Sequence, residues 1–356
     1  MPREIGSDFW EYPTPEIKVH NLPDWLKWGN YNRLCVSGRT ALDHIIMDIK
    51  ATQEFRVIYM PSYCCHNMIE PFESNGVKVL FYDVLVNEKG GLHFDIDYST
   101  ECDAVFVLNY FGFISSGTKV IIDHFKKDST KIIIEDSTHT LLCSKPFNPK
   151  SDYVFSSLRK WFAVPGAAVV SKKAEFTIMK PSDIHSLYIQ MKIEGMNLKK
   201  EYFNSDYVTK ESFLRIFNDA ELLLENDYKN YAIDDISFSV IEQTEREIIK
   251  SKRISNASFL LSALKNQSNF RPLFHEVIKT DCPLFVPIVV ESSWRARFKQ
   301  YLINKDIFCP VHWPKSDLHH LNKRSESIYD TELSIVCDQR YEIEDMERII
   351  TAIKNF

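Results

Sequence analysis

The chain has 356 residues, of which 44% are hydrophobic and 26% charged, and its formal net charge is −6. No run of like charge and no basic stripe interleaved with aromatic residues occurs, so the composition argues against a nucleic-acid partner. The length favours two domains, or one large and one small domain.

The eight cysteines are scattered and form no C-x-x-C pair. This pattern argues against a zinc knuckle or a disulfide framework and favours reduced thiols in a cytosol. The first residues lack a basic stretch followed by an apolar one, and no apolar run approaches the roughly 20 residues that cross a bilayer. We therefore expect a cytoplasmic protein without a membrane partner.

Short apolar runs alternate with helical patterns from about residue 35 onward. The predicted strands are Arg56–Met60, Lys78–Asp83, Ala104–Leu108, Lys131–Ile134 and Ala167–Val170. The predicted helices between them are Thr40–Ala51, His66–Asn75 and Gly117–Lys127. Buried strands that alternate with helices indicate an α/β fold with a mostly parallel mixed sheet flanked by helices.

The later part of the chain has a different pattern. From about 175 to 265, apolar residues recur at helical spacing with charges between them. The strand-like runs PLFVPIVV and LSIVCD follow, and EDMERIITAIKNF predicts a closing amphipathic helix. We therefore predict an N-terminal arm (1–30), a large domain (31–245) and a smaller C-terminal α+β domain (246–356).

Three segments expected at the carboxyl edge of the sheet carry residues suited to chemistry. In SGRTALDHII, Ser37 and Gly38 lead into a helix whose N-terminus can bind an anion. In IIIEDSTHTLL, Asp136 ends a strand and His139 follows it. In FSSLRKWFAVPGAAVV, Lys160 lies among apolar residues, where an ammonium group is costly to bury. Each feature alone also fits a helix cap, a solvated loop or a paired side chain.

Together these three segments fit pyridoxal 5′-phosphate (PLP). A lysine of lowered pKa can form a Schiff base with the cofactor aldehyde. A carboxylate can keep the pyridine nitrogen protonated, so that the ring accepts electrons. Helix-terminal amides and hydroxyls can bind the phosphate. The sequence therefore predicts a PLP-binding protein.

The same segments resemble the DegT/DnrJ/EryC1/StrS family of fold-type I PLP enzymes, which are mostly nucleotide-sugar aminotransferases. The resemblance rests on an ordered series of segments between Ser37 and Ile349: SGRTAL, YMPSYCCHNMIEPFESNGVKVLFYDV, AVFVLNYFG, IIIEDSTHTLL, FSSLRKWFAVPGAAVV and CDQRYEIEDMERI. It implies a fold-type I transferase and a homodimer.

The resemblance also implies roles for individual residues. Lys160 would form the Schiff base, Asp136 would meet the pyridine nitrogen, and His139 would lie near the 3′-oxygen of the ring. The residues implied at the phosphate are Gly38, Arg39, Thr40 and Ser156. The group that stacks on the ring would come from PSYCCHNM, where we favour His66 and keep Cys65 and Tyr63 as alternatives.

Two departures from the family pattern concern the substrate side. The stacking segment has Cys64-Cys65-His66 in place of the usual aromatic residue, and Gly166-Ala167 stands where a Gly-Gly pair is common. Lys160 is retained, which disfavours the branch that uses histidine there for sugar deoxygenation.

Three residues are candidates for binding substrate. Arg340 could bind the α-carboxylate of an amino donor, or it could be a surface or ion-paired arginine. His312 and Trp313 lie between two prolines, in a loop that could face the substrate or simply pack. His319-His320 has no carboxylate or cysteine at ligand spacing, so we predict no metal site.

We therefore predict an aminotransferase that moves an amino group from an amino acid, such as glutamate, to a keto-sugar nucleotide in glycan or secondary-metabolite biosynthesis. One alternative is a catalytically altered protein of the same fold that acts as a binding or regulatory subunit. Another is a PLP enzyme that catalyses a different reaction on an amino acid, because the same anchors serve many reactions.

Overall fold

The computed structural model describes residues 4–11, 24–87, 90–205, 207–265, 267 and 269–356. The strands are β1 (Ile5–Gly6), β2 (Tyr31–Cys35), β3 (Val57–Pro61), β4 (Lys78–Val86), β5 (Leu92–Asp95), β6 (Ala104–Leu108), β7 (Ile132–Asp136), β8 (Tyr153–Ser157), β9 (Ala168–Lys172), β10 (Phe270–Pro272), β11 (Phe285–Val290), β12 (Ile307–Phe308) and β13 (Glu332–Val336). The helices are α1 (Gly38–Lys50), α2 (His66–Ser74), α3 (Ser116–Phe125), α4 (Ser186–Asn204), α5 (Lys210–Asn226), α6 (Asp235–Gln243), α7 (Arg246–Leu264), α8 (Ser292–Ile303), α9 (Lys323–Thr331) and α10 (Ile343–Lys354).

The chain forms two compact units, and neither is continuous in sequence. The first unit contains residues 1–7, 56–151 and 245–356, and the second contains residues 8–55 and 152–244. This partition differs from the predicted division into 1–30, 31–245 and 246–356, which stays a prediction.

The first unit is built on parallel strands. Its main strands lie in the order β7-β6-β3-β4-β5; β7, β6, β3 and β4 pair in parallel, and β5 is antiparallel to β4. All five residues of β6 are buried, as expected for a strand covered on both faces. A second, antiparallel sheet contains β10, β11 and β13, and β1 pairs in parallel with β12.

The second unit combines three antiparallel strands with helices. Its strands lie in the order β2-β9-β8. Helix α1 buries its apolar face, including Ala41, Ile45 and Ile49, and packs on these strands. Helices α4 and α5 pack against each other through residues such as Met196 and Phe217. Gly195 is required at this contact, because a Cβ there would lie 2.6 Å from the Phe217 ring.

Candidate active site

The predicted phosphate-binding turn is a capped helix start in the second unit. Ser37 is the N-cap of α1, and its Oγ accepts a hydrogen bond from the Thr40 amide at 3.1 Å. The Thr40 hydroxyl donates to the Tyr228 carbonyl at 2.6 Å. A Cβ on Gly38 would lie 3.4 Å from the Ser157 Cβ, so the end of β8 lies against the start of α1. The helix start is therefore rigid, and its dipole favours an anion.

The Arg39 side chain is buried and lies against the segment that follows α5. Its guanidinium carbon lies 5.3 Å from the centre of the Tyr228 ring. One of its nitrogens lies 3.8 Å from a Glu225 carboxylate oxygen. These contacts place the Arg39 side chain among residues that hold the helix start in position.

Ser156 carries a buried hydroxyl in β8. The residue is 0% exposed, and its Oγ has no hydrogen-bond partner among the residues that the structure describes. An unsatisfied buried hydroxyl costs roughly 1–3 kcal/mol. Such a group therefore suits a site that a polar ligand completes.

Lys160 follows β8 in a short 3₁₀ turn, Leu158–Lys160. The Leu158 amide donates to the Ala167 carbonyl at 2.8 Å, which closes the loop that carries the lysine. Lys160 is half-buried, whereas Leu158 and Trp161 are fully buried. The lysine thus lies on a short, well-anchored loop, in keeping with its apolar sequence context.

Arg159 links this loop to helices α4 and α5 through an ion pair. Its guanidinium lies 2.5 Å from a Glu221 carboxylate oxygen on α5, and the Lys192 ammonium on α4 lies 3.1 Å from the same oxygen. Burial favours the neutral acid, but Arg159 and then Lys192 outweigh it and lower the pKa of Glu221 to about 2. At the other end of the loop, the Tyr188 hydroxyl donates to the Pro165 carbonyl at 3.0 Å.

The predicted pair Asp136 and His139 lies in the first unit. Asp136 ends β7, is 1% exposed, and accepts a hydrogen bond from the Thr138 amide at 2.7 Å. His139 is fully buried, and its Nδ1 accepts a hydrogen bond from the Phe111 amide at 3.0 Å. Both side chains are thus held in position by backbone groups.

The preceding residue, Glu135, is buried in a separate polar pocket. It accepts hydrogen bonds from the Asn148 amide at 2.8 Å and from the Ser151 hydroxyl at 2.5 Å. Burial nevertheless raises its pKa to about 7. Successive residues of a strand point to opposite faces, which separates Glu135 from Asp136.

The candidate substrate loop packs on His139. The Trp313 ring stacks on the His139 ring with centroids 5.5 Å apart and an angle of 27°. The His312 ring lies 5.7 Å from His139, nearly perpendicular to it, and the His312–Trp313 peptide bond is cis. The structure therefore brings His139 next to His312 and Trp313, two predicted site residues that stand far later in the sequence.

The three residues considered for stacking on the cofactor ring differ in burial. Tyr63 is fully buried, with its ring 5.2 Å from Trp313. Cys65 is the N-cap of α2 and His66 is the first residue of this helix; both are half-buried. The neighbouring Cys64 is buried, which raises the pKa of its thiol and makes it unsuited to act as a nucleophile.

Arg340 is ion-paired in the structure, which was one of the alternatives considered for this residue. Its Nε lies 2.9 Å from Asp338 Oδ1, and a terminal nitrogen lies 2.7 Å from Oδ2. The guanidinium also donates to the Ser7 carbonyl at 3.0 Å. The Asp338 carboxylate thus occupies the two guanidinium nitrogens that would otherwise bind a substrate carboxylate.

Two residues of the first unit that sequence reasoning did not single out shape the surroundings of His139. Phe111 supplies the amide that binds His139, and Glu332 accepts a hydrogen bond from the His312 amide at 2.8 Å. Gly112, directly after Phe111, was a signal of unusual backbone in NYFG, whereas nothing in the sequence marks Glu332.

No protein-family profile and no curated protein matches the sequence. Many solved structures match, and three of them, which are 13–16% identical to this chain, illustrate the group. PseC from Helicobacter pylori, an aminotransferase involved in the biosynthesis of pseudoaminic acid, is 16% identical with a TM-score of 0.66, over 93% of this chain and 88% of that chain. NtdA from Bacillus subtilis, solved with bound cofactor PMP, is 13% identical with a TM-score of 0.62, over 93% and 74%. A DegT/DnrJ/EryC1/StrS aminotransferase from Brucella abortus is 15% identical with a TM-score of 0.64, over 94% and 87%.

The chain therefore has the fold of these aminotransferases, and the predicted fold class is confirmed. Within the described residues, no helix has the length and apolar character needed to span a bilayer. The same residues contain no group of three or more His, Cys, Asp or Glu side chains arranged to bind a metal ion.

Proposed function

We propose that the protein is a PLP-dependent aminotransferase that transfers an amino group from an amino acid, such as glutamate, to a keto-sugar nucleotide. The observation that carries this proposal is the buried Ser156 hydroxyl. It has no partner among the described residues and lies on the strand that ends beside the start of α1, directly before the lysine loop. A phosphate oxygen would satisfy this hydroxyl.

The residues present fit the cofactor. We propose that the phosphate is bound at the start of α1 by Gly38, Arg39 and Thr40, together with Ser156. Asp136, a buried carboxylate fixed by the Thr138 amide, suits the pyridine nitrogen. His139 suits the ring oxygen, Lys160 suits the aldehyde, and we keep His66 as the group above the ring.

When bound, PLP supplies an electron sink for charge that develops at the carbon next to the transferred nitrogen. Asp136 then holds a proton at the pyridine nitrogen, because an ionised carboxylate stabilises the protonated ring. The Lys160 amine accepts a proton from one carbon and returns it to another as general base and acid. Its short loop limits how far the amine can move, which suits transfer between neighbouring atoms.

On the substrate side we propose that His312 and Trp313 contribute to binding the sugar, since Trp313 packs on His139. Arg340 is not part of this proposal, because its guanidinium is paired with Asp338. We also propose a cytoplasmic homodimer, as the family resemblance implies. Sedimentation equilibrium of the purified protein tests the oligomeric state.

Borohydride reduction tests the role of Lys160. Purified protein incubated with PLP should develop a visible absorbance band, and reduction should attach the cofactor to the peptide that contains Lys160. The adduct should disappear in Lys160→Ala and persist in Lys173→Ala, a matched change at an exposed lysine. A reducible adduct of full yield in Lys160→Ala, detected by mass spectrometry, would refute the assignment.

A half-reaction tests transamination separately. PLP-loaded protein mixed with glutamate should lose the visible band as the pyridoxamine form accumulates. If no amino acid produces this change although the Lys160 adduct forms, the catalytically altered alternative is favoured. Release of carbon dioxide or ammonia from the amino acid would instead favour the other reaction types.

A further inference from the structure

We propose that the loop after β6 fixes His139 as the tautomer that carries hydrogen on Nε2, and that Phe111 is the positioning residue that does so through its backbone amide. The tautomer assignment follows from contacts within the first unit and does not depend on the cofactor. The consequence for the cofactor rests on the proposed function.

The hydrogen bond from Phe111 determines which ring nitrogen carries the proton. A backbone amide can only donate, so the Nδ1 that it meets at 3.0 Å must accept and carries no hydrogen. In a neutral imidazole the hydrogen then lies on Nε2. His139 is fully buried, so a second proton at Nδ1 would cost this hydrogen bond and would bury a charge.

The loop holds the Phe111 amide in this orientation. Phe111 has φ +59° and Gly112 has φ +86°, which are left-handed values that a bulky residue rarely adopts. The Phe111 carbonyl accepts from the Leu284 amide at 2.8 Å, and the Gly112 carbonyl accepts from the Cys282 amide at 3.1 Å. A Cβ on Gly112 would lie 2.1 Å from the Cys282 carbonyl oxygen, so glycine is required there. Strained backbone of this kind persists where its surroundings determine it fully.

Packing prevents the imidazole from turning over. Trp313 covers one face of the ring, and the Phe111 ring lies 5.7 Å away at a tilt of 39°. Turning the ring by 180° would place a carbon against the Phe111 amide and would leave this buried donor unsatisfied. A buried donor without a partner is costly, which strongly favours one orientation of the ring.

A second set of hydrogen bonds holds Trp313 in place through its neighbour. The Glu332 carboxylate accepts from the His312 amide at 2.8 Å and from the Ser334 hydroxyl at 2.5 Å. The Ser334 hydroxyl and His312 Nδ1 lie 2.9 Å apart, which joins the His312 ring to the same set of hydrogen bonds. Burial raises the pKa of Glu332 to about 7, so these contacts do not determine the His312 tautomer.

The fixed tautomer restricts what His139 can do. It presents an N–H at Nε2 and no basic lone pair there, so it acts as a hydrogen-bond donor rather than as a base. At the ring oxygen of the cofactor, this donor would spread the negative charge of the oxygen and weaken its hold on a neighbouring proton. Glutamine could replace this donor, whereas methionine, of similar length, could not.

Nitrogen NMR of the full-length protein tests the tautomer without any cofactor. In protein labelled with ¹⁵N-histidine, the signals that vanish in His139→Gln should report a hydrogen on Nε2 and a bare Nδ1 at neutral pH. His93→Gln, a matched change at an exposed histidine, is the control and should leave these signals in place. A hydrogen on Nδ1 of His139 at neutral pH would overturn the proposal.

Absorbance of the PLP-loaded protein tests the donor role. The pH midpoint of the visible band should stay near the wild-type value in His139→Gln and rise by about one pH unit in His139→Met, because the donor is lost only in the latter. Equal midpoints in all three proteins would exclude the donor role. If the wild-type protein forms no reducible adduct at Lys160, the proposed function fails, while the NMR result still decides the tautomer.

Discussion

At the scale of single residues, Glu135 links the stability of the protein to pH. Its ordinary pKa is 4.5, and burial raises it to about 7 in the folded chain. The folded state therefore binds a proton more tightly than the unfolded state does. The favourable contribution of this proton is complete below about pH 4.5 and is lost as the pH rises through 7.

Glu135→Gln should remove this dependence. Because one pKa unit corresponds to about 1.4 kcal/mol, the wild-type free energy of unfolding should fall by roughly 3 kcal/mol relative to the variant between about pH 4.5 and 7. Urea denaturation at several pH values measures the difference. Glu101→Gln, at an exposed position, should follow the wild-type curve. Parallel curves for wild type and Glu135→Gln would contradict the raised pKa.

The residues of the candidate site differ in how far the sequence predicts their environment. Asp136 ends a strand in the structure, as the apolar run before it indicates, and Lys160 lies among buried residues. Arg340 could have been paired from sequence, since Asp338 stands two residues before it in CDQRY. The role of the Phe111 amide could not be predicted, because it depends on a backbone angle and on a histidine distant in the chain.

At the scale of elements, uniformly buried strands were predicted best. The run AVFVL predicts Ala104–Leu108, and the structure has a strand with these bounds, because its apolar residues have no other stable place than inside a covered sheet. The strand Tyr31–Cys35 was not predicted. It lies at the edge of its sheet and most of its residues are only half-buried, so its sequence shows little alternation of apolar and polar residues. Two-residue strands such as β1 and β12 depend entirely on their partner.

Helices α4 and α5 support the loop that carries Lys160, and Tyr188→Phe tests this support. Removing the hydroxyl leaves the Pro165 carbonyl without its donor, so the free energy of unfolding should fall by about 1 kcal/mol. Hydrogen exchange of the loop at 158–167 should become faster. Tyr207→Phe, at a side chain that is 94% exposed, should change neither quantity. Unchanged exchange of the loop in Tyr188→Phe would show that the helices do not support it.

At the scale of the whole molecule, the first unit is assembled from three separate stretches of chain. The stretch at 245–356 supplies the amides of Cys282 and Leu284, which hold the loop at Phe111 and Gly112. Long-range contacts of this kind cannot form until the chain on both sides is present. The predicted domain boundary near residue 245 therefore coincides with the start of the third stretch of this unit.

A fragment that ends at Thr244 should accordingly leave the first unit unfolded, although it contains the whole second unit. It retains the strands β3, β4, β6 and β7 but lacks their partners from the last stretch, and so exposes apolar surface that the full chain buries. Amide hydrogen exchange of these four strands should be fast in the fragment, and addition of the fragment 245–356 should slow it. Slow exchange of these strands in the shorter fragment alone would support the predicted, sequence-continuous domains instead.

The parallel pairing of β1 with β12 has a consequence for biosynthesis. Ile5 and Gly6 are synthesised long before their neighbours in the sheet, Ile307 and Phe308, and before the Tyr341 hydroxyl that the Gly6 amide binds. These two residues must therefore stay unpaired during synthesis until the segment from 307 to 341 has also left the ribosome.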